Sequence, residues 1–66
     1  MTIKDVQESI DIIVKVKHDS ELAHSYEDNL LNDVLESIAD GTAENPKEMA
    51  RLARTTVDIP FARWYA

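Results

Sequence analysis

His24, Glu27 and Asp28 lie within five positions of one another, in a stretch (residues 18–41, HDSELAHSYEDNLLNDVLESIADG) that contains no Lys or Arg. One imidazole and two carboxylates this close can hold a cation, exchange protons, or pair with a guanidinium brought from elsewhere. Position around a helix separates these options. At ~100° per residue Glu27 falls inside the apolar stripe of Ala23, Leu30, Leu31 and Val34, while His24 and Asp28 flank it four residues apart. A carboxylate facing a core must meet a cation or several donors, because desolvating it unpaired is costly. Arg63, beside Trp64 in the C-terminal stretch, is the first candidate for a two-pronged pair with Glu27, and Arg54 is the second. His24, Glu27, Asp28, Arg63 and Trp64 are therefore the candidate site. They make either a structural network or a binding site in which Arg63, Trp64 and Tyr65 clamp a planar anion such as a nucleotide.

Other chemistries fit less well. His24 and Asp28 could offer one face of a zinc or manganese ion, with Glu21, Glu27 or His18 completing the set, but the spacing matches no standard metal motif. His18-Asp19 is the pair by which HD phosphohydrolases hold metal, and that fold needs a far longer chain. A Ser25–His24–Asp28 relay fails because neighbouring helical residues point about 100° apart. With no Cys and one Gly, the chain has neither thiol chemistry nor a phosphate-cradling loop. The expectation is no enzyme, no cofactor and no metal.

Three elements must position the candidate residues. Thr2 and Asp5 form a capping signature ahead of Ile3, Val6, Ile10, Ile13 and Val14, which share one face of a helix over about 3–16. Ile12 and Val16 lie nearly opposite, as a helix apolar on two sides would have them. The β-branched run over 10–17 also allows a strand. The second helix runs over 20–40 if Asp19 or Ser20 caps it, or 26–40 if Ser25 does, and Gly41 suits its left-handed close. Asn45-Pro46-Lys47-Glu48 starts a third helix over 46–57, with Met49, Leu52, Ala53, Thr56 and Val57 inward, and Pro60 follows it. The tail, 58–66, holds three of the four aromatic residues and is expected to pack across the domain.

The sequence thus predicts one all-α domain over 1–66, a small three-helix unit with its aromatic tail packed on it. A chain of 66 residues buries only about 60% of its unfolded surface, and no disulfide reinforces it, so a homo-oligomer is expected. The net charge of −6 divides unevenly: −8 over residues 1–45 and +2 over 46–66. An acidic front argues against direct nucleic-acid binding, which needs a basic footprint, yet it suits competition for a basic groove on another protein. No run is apolar enough to span a membrane and the start has no signal-peptide pattern, so the expected place is the cytoplasm.

HDSELAHSYEDNL (18–30), IADG (38–41) and the closing DIPFARWYA resemble a group of very short proteins encoded by bacteriophages and prophages. These share an Ala-His-Ser-x-Glu-Asp block, a medial Ile/Val-Ala-x-Gly and an Arg-Trp-Cys/Tyr-Ala terminus. The likeness covers residues 18–66. It implies that Ala23, His24, Ser25, Glu27, Asp28, Phe61, Arg63 and Trp64 are the shared elements. Tyr65 stands where the group usually has Cys, so any thiol role in relatives is lost here. The resemblance further implies a non-enzymatic accessory that binds and inhibits a host or anti-phage defence protein, in the host cell cytoplasm. A nucleotide sink held between subunits and a structural oligomerisation module are the alternatives.

Overall fold

The computed structural model describes residues 1–63. The expectations placed on Trp64, Tyr65 and the end of the tail lie outside those residues. The described chain is all-helical: α1 (Ile3–Lys15), α2 (Ser20–Ala39) and α3 (Pro46–Arg54), followed by a 3-10 turn (Thr55–Asp58), with no strand among the described residues. Each of the three helices packs on the other two. The longest dimension, 33 Å, is little more than the ~30 Å that the 20 residues of α2 span by themselves.

Local chemistry accounts for the helix ends. Thr2 and Asp5 form a reciprocal capping box, with Thr2 N–H donating to Asp5 (2.8 Å) and Asp5 N–H donating to the Thr2 hydroxyl (3.1 Å). Asp19 caps α2 by accepting from Leu22 N–H at 3.1 Å. The helix therefore starts at Ser20, and the later start from Ser25 does not occur. Asn45 caps α3, and Pro46 occupies its first turn. At the far end of α2, Gly41 takes φ +78. Thr42 N–H reaches Ser37 O (2.9 Å) and Gly41 N–H reaches Ile38 O (3.3 Å), which is the paired closure that a left-handed glycine permits.

The core draws on all three helices: Val6, Ile10 and Ile13 from α1, Ala23, Leu30 and Val34 from α2, and Met49 and Ala53 from α3, with Ile59 beyond the turn. The β-branched run at 10–17 stays helical through Lys15, since Ile10 and Ile13 are needed on the α1 core face. Several apolar positions expected on inward faces are exposed instead: Tyr26, Leu35 and Ile38 on α2, one on α1 and one in the 3-10 turn. Val14 is exposed, and so is Val57, which is 71% exposed. Val57 turns out because α3 ends at Arg54. The 3.0-residue period of the turn that follows carries Thr56, not Val57, to the interior. For Val14, the core face of α1 is simply narrower than its apolar sequence.

Candidate functional site

Because Asp19 caps α2 and the helix starts at Ser20, its inward face reads Ala23, Glu27, Leu30, Val34, and Glu27 is 6% exposed within it. Ile59 adopts an extended backbone before Pro60, which ends the helical path and turns the chain back along α2. Phe61 then packs on the core, and Ala62 N–H donates to the Ser20 hydroxyl at 3.2 Å. One residue later Arg63 reaches Glu27, two turns further along the same helix.

The pair is two-pronged. Arg63 Nε donates to Glu27 Oε1 and Nη2 donates to Oε2, both at 2.9 Å. Nη2 also donates to the Thr56 carbonyl (2.8 Å), and Nη1 donates to the Phe61 carbonyl (3.2 Å). The guanidinium carbon lies 3.7 Å from the centre of the Phe61 ring, a cation–π stack. One side chain thus fastens α2, the 3-10 turn and the returning tail at a single point. Burial would raise the Glu27 carboxyl. Hydrogen bonds from Arg63 and Thr56, and the nearby charges of Arg63 and His24, outweigh it and hold the group below its ordinary value. No buried side-chain nitrogen or oxygen among the described residues is left without a partner.

His24 and Asp28 stand beside this pair rather than in it. His24 Nε2 is 3.4 Å from Asp28 Oδ1, one helical turn apart, and the Asp28 side chain is 64% exposed. Among the described residues no group of three or more His, Asp or Glu is placed to hold a metal ion. Of the five candidate residues the structure brings Glu27 and Arg63 into direct contact, sets His24 and Asp28 next to them, and leaves Trp64 outside the described residues. Arg54, the second candidate cation, lines a small pocket of about 290 Å³ with Glu27, Leu31, Thr56, Val57 and Arg63, but does not pair with Glu27. With both carboxylate oxygens accepting and three guanidinium nitrogens donating, the pair forms a closed tie.

A second feature was not visible along the chain. Between α1 and α2 runs a groove of about 520 Å³, lined by Asp5 and Glu8 from α1 and by Asp33, Glu36 and Asp40 at the end of α2, with Met1, Ser9 and Ile12 among its apolar and small residues. No Lys or Arg lines it. Two of these carboxylates serve helix ends. Asp5 is held below its ordinary value chiefly by the Thr2 backbone, and Asp40 by the Thr42 hydroxyl at 2.6 Å and the Thr42 N–H at 3.0 Å. The carboxylates of Glu8, Asp33 and Glu36 have no hydrogen bond or ion pair among the described residues. The available signal was the spacing: steps of three on α1, and of three and four on α2, put all five on facing edges of two antiparallel neighbours. No helix among the described residues is long and apolar enough to cross a membrane.

No family model, curated protein or solved structure matches this chain.

Proposed function

We propose that the chain is a non-enzymatic phage or prophage accessory that works by binding, as a homo-oligomer, and inhibits a host or anti-phage defence protein. One observation carries the binding part: the α1–α2 groove gathers five carboxylates, three of them unengaged, with no Lys or Arg in its lining and the Met1 ammonium at its end beside Asp5 and Asp40. Carboxylates left without partners along a cleft create a strong local negative potential, which selects a partner with a basic surface and speeds its approach. The Glu27–Arg63 tie, which also takes in the Thr56 and Phe61 carbonyls, serves the fold in this reading rather than the ligand. The phage origin rests on the sequence resemblance of residues 18–66.

The test is capture from a bacterial lysate on the immobilised protein, at two salt concentrations, beside an Asp33→Lys/Glu36→Lys variant. A basic protein retained at low salt, released as salt rises and lost with the variant is the expected outcome. Equal retention by wild type and variant would overturn the groove as the binding surface.

A further inference from the structure

The acidic groove occupies only part of the α1–α2 face. Steps of four, three, four, three and four place Leu22, Tyr26, Asn29, Asp33, Glu36 and Asp40 along one edge of α2, about 27 Å long at ~1.5 Å per residue. The last three line the groove. The first three are uncharged, and Leu22 and Tyr26 are each 41% exposed. The facing edge of α1 divides the same way. Asp5 and Glu8 stand at the acidic end, while Ile12, 41% exposed, and half-buried Val16 continue the row toward the turn that joins the two helices. Because the helices are antiparallel, the two apolar ends lie together. Charge follows the same division. Five carboxylates face the Met1 ammonium at one end, whereas Lys15 and Lys17 balance Asp19 and Glu21 around the other, with His18 between them.

We propose that this two-ended face docks one amphipathic helix of a partner protein, with basic side chains over the acidic end and apolar ones over Ile12, Leu22 and Tyr26. The inference rests on the basic-partner reading above and says what kind of segment that partner presents. Charge complementarity selects the occupant. Five carboxylates against one ammonium demand cations at one end. The exposed Ile, Leu and Tyr side chains at the balanced end demand apolar area, which a uniformly basic chain does not carry. A trough between two helices suits a third helix, and about 18 residues span this one. Nucleic acid is repelled by the acidic end. A second copy of this chain has no suitable helix to offer. Its basic helix, α3, has nine residues, buries Met49 and Ala53 in its own core and pairs Arg51 with Glu48.

Fluorescence anisotropy with a labelled synthetic peptide of about 18 residues tests this. One face of the peptide helix carries lysines along its first half and leucines along its second. Wild type should bind it, and raising salt from about 0.05 to about 0.5 M should weaken binding by about tenfold without abolishing it. Tyr26→Ser and Ile12→Ser, both at exposed positions, should keep the wild-type circular dichroism and weaken binding by about five- to tenfold. Asp33→Lys/Glu36→Lys should weaken it by about a hundredfold at low salt. A peptide with serines for the leucines, and one with lysines and leucines interspersed along the face, should each bind about tenfold more weakly. Equal binding of the three peptides, or of wild type and the two serine variants, overturns the proposal. So does a wild-type dimer that Tyr26→Ser dissolves, because the face then belongs to a second copy. A peptide that does not bind, beside lysate capture that still depends on Asp33 and Glu36, overturns this inference and spares the basic-partner reading. Peptide binding without such capture upholds the docking chemistry and removes the host target instead.

Discussion

The two sides of α2 manage charge in opposite ways. Toward α1, Asp33, Glu36 and Asp40 face Asp5 and Glu8 across an open groove, and only the two that cap helix ends have partners. Toward α3, the single inward carboxylate, Glu27, is met by a guanidinium at two points, and the rest of that side from Leu31 to Ala39 carries no charge. One helix thus holds a carboxylate the fold depends on and others the fold would be slightly better without. The difference teaches that acidity in this sequence is not one property. Burial with a fixed partner makes a carboxylate structural, and crowding without one leaves it free to meet something else.

Breaking the paired side should have the largest effect. Arg63→Ala or Glu27→Ala leaves a desolvated partner and should cost about 3 kcal/mol, most of the stability of a domain this small, whereas exposed Asp28→Ala should change it by less than about 0.5 kcal/mol. Arg63→Lys should recover only part of the loss, because an ammonium cannot reproduce the fork or the stack on Phe61. Urea unfolding of the four variants checks this, and a Glu27→Ala loss no larger than that of Asp28→Ala would erase the contrast.

Acid sharpens the same comparison with a smaller effect. The folded Glu27 carboxyl lies below its ordinary value of 4.5, as Asp5 and Asp40 lie below theirs. A depressed folded value means the unfolded chain takes up the proton first as pH falls. The Glu27 contribution is therefore complete at neutral pH, begins to fade below the unfolded value, and is gone once pH passes through the folded one. Stability should hold from pH 7 to about 5 and then fall, and Glu27→Gln should flatten that fall in a pH series of denaturant midpoints.

The smallest effect belongs to the open side. Asp33 and Glu36 are three apart on one helical edge and repel each other. Glu36→Gln should raise the melting temperature by about 1–2 °C in low salt and by nothing measurable in 0.5 M salt. A fall at either salt concentration would mean that Glu36 has a structural role after all.

How much of this could be read along the chain depended on range. Thr2 and Asn45 announce their helices because a cap and its donor are three residues apart, whereas Asp19, Ser20 and Ser25 all offered a cap for α2 and only the fold selects Asp19. Glu27 could be placed inward from the period of α2 alone, and Arg63 could be paired with it because few cations were on offer in a chain with seven. The Thr56 and Phe61 carbonyls that complete the guanidinium's bonding were not legible, since backbone acceptors carry no sequence signal. Nor was the outward turn of Val57, where the helical period tightens after Arg54, or the exposure of Leu35, since the apolar arc of α2 is wider than two short helices can cover. The acidic groove needs two helices side by side, which neither shows singly.

Residues 27 and 63 are joined through the chain by 36 steps that include the whole of α3. Nine residues are too few for a helix to persist alone in water. The tie therefore behaves as a reversible crosslink around that helix, limiting how far it can stray when it lifts from its neighbours. While the crosslink holds, α3 reseats quickly; once it lets go, the last third of the molecule opens as one piece, ahead of the α1–α2 hairpin.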